Sequence, residues 1–299
     1  TRVAAAGGEV SLRDGERIRS VMDGEGVSPD ASVYASLLEL VAKLAGRGEA
    51  NFHDGLGVLQ ELRGSGVRPS SKVFNVLMDV VAKDAVHGKV RAEDGFGVLQ
   101  WMHSFGVPPD RVTFNTLLDV CAKSARGGRA RARHGAKVLD MMRSEGITVD
   151  AVTLCSLAQL ARADGSMGAV EYARDVFDRS EETSRNERSY TAMIGALGRV
   201  GMSDDALSYF DLAIGSGVRP NRFMFNAAMG ACATTDDVLE IADQMKEAGV
   251  DGDAVTAKIL ERAHKGVPPN VRRPTPNDPL LDYPKRGGGG FKEGLVNFS

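Results

Sequence analysis

The stretches VTFNTLLDVCAK, Val112 to Lys123, and GAKVLDMMRSEGITVD, Gly135 to Asp150, together decide the fold of this chain. In the first stretch apolar side chains recur at intervals of three and four residues, which is the spacing of one face of an α-helix. The second stretch has the same spacing, and its Gly146 suits the left-handed backbone that commonly follows a helix end. The two stretches therefore predict a pair of amphipathic helices joined by a turn.

The same helical pair recurs along the chain at a nearly fixed period. Six short segments that begin with glycine follow second helices, and these segments are GVSPD, GVRPS, GVPPD, GITVD, GVRPN and GVDGD, which end at Asp30, Ser70, Asp110, Asp150, Asn221 and Asp253. A period in this range is typical of a stacked array, in which each unit covers the apolar face of its neighbour. We divide the chain into repeats 31–70, 71–110, 111–150, 151–186, 187–221 and 222–253, followed by a capping helix at 254–264.

The two ends of the chain differ from this array. Residues 1–30 are interpreted as a partial N-terminal repeat, and residues 265–299, rich in proline and glycine without periodicity, as an extended tail. Because the chain opens at Thr1 and not at a methionine, we expect the true N-terminus, with any transit peptide, to lie outside these residues.

The composition argues against several classes of protein. No run of about 18 apolar residues predicts a membrane span, and the three cysteines, Cys121, Cys155 and Cys232, form neither a disulfide framework nor a zinc-binding spacing. No phosphate-binding loop, nucleophile motif or metal-binding histidine pair is present, so we expect no cofactor, no metal and no enzymatic activity. The formal net charge of −3 means that any attraction to nucleic acid has to come from a local basic row.

The quoted stretches, taken in order, resemble the pentatricopeptide repeat family almost place for place, and the resemblance covers about residues 9–264. It implies an all-α fold, a right-handed superhelical α-solenoid of helix-turn-helix repeats. It also implies a non-enzymatic protein that binds single-stranded RNA in chloroplasts or mitochondria and acts in RNA processing, stability or translation.

The resemblance further implies that each repeat reads one base, through a side chain early in its first helix and the last residue of the repeat. The complete pairs are Asn75 with Asp110, Asn115 with Asp150, Thr191 with Asn221, and Asn226 with Asp253. In the remaining repeats Ala35 and Cys155 lack the expected hydrogen-bonding group. The implied preference is 5′-N-U-U-N-A-U-3′, with two positions blank.

Two further sets of residues are expected to contact RNA. Apolar side chains at the starts of first helices, Val112, Val152 and Phe223, would stack against bases, whereas Ser32, Lys72 and Arg188 occupy that place elsewhere. A basic residue near the end of the first helix recurs as Lys43, Lys83, Lys123 and Arg199. Residues repeated in register form a row along a solenoid, so these four are predicted to contact phosphates.

The sequence leaves alternatives open. Asn, Asp and Ser are also favoured at helix starts for local hydrogen bonding, and basic residues at helix ends stabilise the helix dipole. A second functional hypothesis is a structural adaptor, a subunit of a large organellar assembly that binds protein through the solenoid and the C-terminal tail.

Overall fold

The computed structural model describes residues 24–26 and 28–269, and within them the chain is helical with no β-strand. Thirteen α-helices follow Asp30 in the described part of the chain: α1 Ala31–Arg47, α2 Phe52–Gly64, α3 Ser71–Val86, α4 Ala92–Ser104, α5 Arg111–Arg126, α6 Ala132–Ser144, α7 Ala151–Asp164, α8 Met167–Arg179, α9 Glu187–Arg199, α10 Ser203–Gly215, α11 Arg222–Ala231, α12 Thr235–Glu247 and α13 Ala254–His264. Odd-numbered helices up to α11 are the first helices of the predicted pairs, and even-numbered helices are the second.

Local chemistry explains where the first helices begin. The side chain of Asp110 accepts a hydrogen bond from the backbone N–H of Thr113 at the start of α5, and Asp150 does the same for Thr153 at the start of α7. Such caps satisfy backbone donors that have no partner inside the helix. After the second helices, Gly66 and Gly146 have φ of 72° and 69°, the left-handed conformation that the sequence predicts at these turns.

The helices stack into an α-solenoid, which confirms the predicted fold class. Each first helix packs against its own second helix and against the first helix of the next repeat. The aromatic residue that opens the apolar face is buried in α3, α5 and α11, where Phe74, Phe114 and Phe225 pack into one continuous core. First helices thus form a connected layer, whose polar face presents one set of side chains per repeat.

Three glycines let second helices approach the neighbouring first helix. A Cβ added to Gly55, Gly95 or Gly135 would lie 2.9, 2.6 or 2.7 Å from a leucine side chain of the next repeat. Each of these glycines is the fourth residue of its helix, in the repeats with a 40-residue period. The close contact fixes the spacing between repeats and hence the spacing of the residues on the first helices.

No helix in the described residues is both long and apolar enough to span a bilayer. The partial repeat predicted for residues 1–30 and the tail predicted for residues 265–299 lie almost entirely outside the described residues.

Candidate nucleic-acid interface

Asn75, Asp110 and Thr113 form a hydrogen-bonded cluster at the junction of two repeats. The Nδ2 group of Asn75 lies 3.2 Å from both carboxylate oxygens of Asp110, and the Thr113 hydroxyl lies 2.6 Å from Asn75 Oδ1. Asp110 is the N-cap of α5 and Thr113 its third residue, so a capping box holds both side chains. The asparagine stands one helix away, on α3, and is half-buried.

The same arrangement recurs at two other junctions. Asn115 donates to Asp150 at 3.2 Å and its Oδ1 lies 2.7 Å from the hydroxyl of Thr153. The third cluster consists of Asn226, Asp253 and Thr256, with the corresponding distances of 3.2 and 2.7 Å. Three of the four predicted pairs are therefore in direct contact.

Each of these asparagines keeps hydrogen-bonding capacity for a ligand. An amide group has two N–H donors and an oxygen with two lone pairs. One N–H is directed to the aspartate and one lone pair accepts from the threonine, as in the cluster of Asn115. One donor and one acceptor remain, which is the complement of a base edge.

Two of these aspartates, Asp150 and Asp253, are held in the ionised form. Partial burial opposes ionisation of Asp150, but hydrogen bonds from Thr153 and Asn115 and the charge of Arg111 outweigh it and lower its pKa. The pKa of Asp253 is also lowered, chiefly by the backbone N–H of Thr256. At neutral pH both carboxylates are acceptors only, so the neighbouring asparagine has to present its N–H.

The fourth predicted pair is not in hydrogen-bond contact. The Thr191 hydroxyl donates to the backbone carbonyl of Glu187, one turn earlier in α9, at 2.7 Å. The side chain of Asn221 accepts instead from the backbone N–H groups of Phe223 and Met224. Asn221 therefore caps α11, and its side chain and that of Thr191 bond to backbone groups and not to each other.

The two blank repeats lack the cluster altogether. Ala35 is buried, and Ser70 makes no side-chain cap hydrogen bond. Cys155 accepts from Gln159 within its own helix at 3.2 Å, while Asn186 caps α9.

The predicted stacking residues are large apolar side chains exposed on the surface. Val112, Val152 and Phe223 are 58%, 56% and 62% exposed. Val255, the second residue of α13, takes the same place in the capping helix and is 54% exposed. With Val255 included, apolar side chains flank both sides of the Asn115 and Asn226 clusters, and one side of the Asn75 cluster.

Acidic neighbours accompany the predicted phosphate-contacting row. Lys83 lies 2.7 Å from Asp79 and Lys123 lies 2.6 Å from Asp119, each pair one turn apart on a first helix. Lys43 and Arg199 are exposed, at the equivalent ends of α1 and α9. The row is thus basic but partly neutralised.

Comparison with known proteins finds local similarity to one family of repeat proteins. A family model described as PPR repeat matches residues 188–218. A chloroplastic pentatricopeptide repeat-containing protein of Arabidopsis thaliana is 37% identical over 83 residues, which is 27% of this chain and 10% of the relative. A mitochondrial one from the same plant is 46% identical over 66 residues, 22% of this chain and 10% of the relative. Residues 188–218 thus match a pentatricopeptide repeat, and segments of the chain are similar to proteins that contain such repeats.

Structural comparison gives the same fold over a longer span. The crystal structure of the pentatricopeptide repeat protein PPR10 from maize superposes on 83% of this chain and 34% of its own, with a TM-score of 0.58 and 24% identity. The matches to the two Arabidopsis relatives span about a tenth of each relative's length.

The sequence patterns do not single out every residue of the candidate interface. Thr113, Thr153 and Thr256 read as ordinary third residues of helices, although each follows an N-cap aspartate by three positions, a capping-box signal. Val255 is not predicted by the repeat pattern, because α13 follows the last complete repeat. Among the described residues no three His, Cys, Asp or Glu side chains are placed to share a metal ion.

Proposed function

We propose that this chain binds single-stranded RNA along the layer of first helices and selects uracil at the clusters of Asn75, Asn115 and Asn226. The observation that carries the proposal is the threefold recurrence of an asparagine with one donor and one acceptor available at the surface. A local capping role does not require that recurrence, because Asn186 caps α9 although Cys155, and not an asparagine, occupies the equivalent position of its repeat. Capping and base recognition are thus compatible functions of one aspartate.

The surroundings of the clusters support a base as the ligand. Val112 and Val152 stand on successive first helices, on either side of the Asn115 cluster, and both are exposed. A pair of water-exposed apolar side chains beside a polar amide suits a flat ring, which can stack on the apolar side chains and hydrogen-bond to the amide. Phe223 and Val255 give the Asn226 cluster the same surroundings.

The predicted target is 5′-N-U-U-N-A-U-3′, in which Asn75, Asn115 and Asn226 read the three uracils. The adenine is assigned to Thr191 with Asn221, which the structure does not join by a hydrogen bond. We therefore expect weaker selection at that position than at the uracils.

We further propose that the protein acts in a chloroplast or mitochondrion, in RNA processing, stability or translation, and not as an enzyme. The names of its Arabidopsis relatives support the location, since they are chloroplastic or mitochondrial proteins.

Titration of a 5′-fluorescein RNA containing NUUNAU, monitored by anisotropy, tests the proposal. The double variant Asn75→Ala with Asn115→Ala removes two reading amides, and each is expected to cost about 1–3 kcal/mol of base discrimination. The matched control is Gln60→Ala with Gln100→Ala, which removes two exposed amides from the second helices α2 and α4.

Sequence-selective binding by the wild type and by the control, lost in the double variant, supports base reading. Equal and weak affinity for NUUNAU and a scrambled RNA would overturn it. That outcome would favour the adaptor hypothesis, in which the solenoid binds protein.

A further inference from the structure

The three threonines at the repeat junctions touch only the asparagine and the capping aspartate of their cluster through their hydroxyl groups. Thr113, Thr153 and Thr256 are 0%, 0% and 5% exposed, so the hydroxyl groups are shielded from competing water. Each hydroxyl lies within 2.7 Å of an asparagine Oδ1 and between 2.9 and 3.1 Å of an aspartate Oδ1.

Counting hydrogens assigns the direction of these bonds. A threonine hydroxyl has a single hydrogen, and Asp150 Oδ1 already accepts from the backbone N–H of Thr153 and from Asn115. The backbone N–H of Asp150 donates to the Thr153 oxygen at 3.2 Å, which occupies one of its lone pairs. The hydroxyl hydrogen therefore goes to Asn115 Oδ1, the nearer acceptor at 2.7 Å.

Two contacts at opposite ends of an amide fix its plane, whereas one contact leaves it able to turn. The bond from Asn115 to Asp150 decides which end of the amide faces the carboxylate. Rotation about that bond would still swing the oxygen away from its position, and the Thr153 hydroxyl prevents that rotation.

The plane of the amide matters because uracil and cytosine present opposite patterns. Uracil offers an N–H donor at N3 beside the acceptor O4, whereas cytosine offers the acceptor N3 beside the donor amino group on C4. An amide fixed in plane, with its donor and acceptor at set positions, matches uracil. An amide that turns freely can match the hydrogen-bonding pattern of either pyrimidine.

The threonine occurs only where the other two members of the cluster occur. At the repeats without an Asn and Asp pair, the third residue of the following helix is Val73, Ser189 or Met224. Ser189 has a hydroxyl, but it donates to the backbone carbonyl of Asn186 at 2.9 Å and not to Cys155. A general requirement for helix capping does not explain this distribution.

We propose that Thr113, Thr153 and Thr256 are positioning residues, which hold the plane of the base-reading amide and thereby discriminate uracil from cytosine. This inference rests on the proposed function for its RNA readout. Its structural part, the restraint of the amide, is independent of RNA.

Thr153→Val tests the inference, because valine keeps the shape of the buried side chain and removes the hydroxyl. Thr153→Ser restores the hydroxyl, and Thr116→Val is the matched control, since the Thr116 hydroxyl donates to the backbone of its own helix α5 at 2.8 Å. The Kd of each variant is measured for the NUUNAU RNA and for RNAs with cytosine at the second or third base.

We expect Thr153→Val to lower the uracil-to-cytosine affinity ratio at the third base by about fivefold or more, from the loss of one oriented base contact. The ratio at the second base, read by Asn75, should be unchanged, and Thr153→Ser and Thr116→Val should behave as the wild type. A general loss of folding would change both ratios together. An unchanged ratio at the third base in folded Thr153→Val would overturn the inference.

A second measurement separates this inference from the proposed function. In the protein without RNA, the NMR order parameter of the Asn115 side-chain amide should fall in Thr153→Val and stay high in Thr116→Val. An amide that stays equally ordered in Thr153→Val overturns the inference, whatever the RNA result. Failure of the wild type to bind RNA overturns the proposed function, while the amide measurement still decides whether the hydroxyl restrains Asn115.

Discussion

Lys123 lies 2.6 Å from Asp119, one turn earlier in α5, and the carboxylate neutralises the charge that a phosphate would use. The same relationship joins Lys83 to Asp79 in α3. Partly exposed pairs of this kind contribute little to stability, about 0.3–0.5 kcal/mol for residues one turn apart. Their larger effect is expected on binding, because a bound phosphate competes with the aspartate for each lysine.

Removing both carboxylates should therefore strengthen RNA binding. We expect Asp79→Asn with Asp119→Asn to raise the affinity for RNA several-fold. The dependence of this affinity on salt concentration should also become steeper, towards about 0.7 counterions released per phosphate contact. The matched control is Asp140→Asn with Asp243→Asn, which makes the same charge change at paired aspartates on the second helices α6 and α12. An equal gain in the control would show that net charge, and not the predicted phosphate row, is responsible.

Gly95 and Gly97 offer a matched test of the spacing between repeats. A Cβ at Gly95 would lie 2.6 Å from Leu117 Cδ1, whereas a Cβ at Gly97 meets nothing within 4 Å. We expect Gly95→Ala to destabilise the protein by about 1–3 kcal/mol through overpacking. Gly97→Ala should stabilise it by about 0.5–1 kcal/mol, because alanine favours the helix. Urea unfolding measures both, and equal effects of the two substitutions would contradict the packing argument.

The lowered pKa of Asp150 predicts how this carboxylate titrates. Its folded pKa lies below the ordinary value of 3.8, so the stabilisation it contributes is complete above that pH and is lost as the pH falls through the folded value. Asn115→Ala removes one of the hydrogen bonds responsible and should raise the pKa of Asp150 towards 3.8. Carboxyl carbon-13 NMR measures the titration midpoint. Gln100→Ala is the control, and a midpoint that stays unchanged in Asn115→Ala would mean that the amide does not stabilise the carboxylate.

The three thiols should differ in reactivity. Burial, with a smaller contribution from Glu93, raises the pKa of Cys121 to about 12, and burial likewise raises the pKa of Cys232 to about 12. At pH 8 only about one such thiol in ten thousand is ionised, and the thiolate is the reactive form. With a disulfide reagent at pH 8, we expect the half-buried Cys155 to react first and the other two only after unfolding. Rapid native reaction of Cys155→Ser would contradict this assignment.

The fold could be predicted because its determinants are local and repeated. Apolar spacing in α5, the closing Gly146 and the N-cap Asp150 each specify a helix or its end without reference to distant residues. The recurrence of all three then predicts stacking, since no single helical pair can bury its own apolar face.

The candidate interface could be predicted only in part. The contact of Asn115 with Asp150 was implied by the family resemblance, but the role of Thr153 depends on a distance between two helices, which the sequence does not state. Thr191 shows the reverse case. Its position matches the pattern, yet its hydroxyl satisfies a carbonyl of its own helix, a local alternative that is open to any helical threonine.

Each cluster takes its asparagine and aspartate from one repeat and its threonine from the next, as Asn75, Asp110 and Thr113 do. The unit that recognises a base therefore spans the junction between two repeats. Its boundaries in the sequence do not coincide with the boundaries of a repeat. Transplanting a single repeat into another array would carry the asparagine and leave its threonine behind. Duplication or recombination at repeat boundaries would likewise alter the base preference of a repeat whose own sequence had not changed.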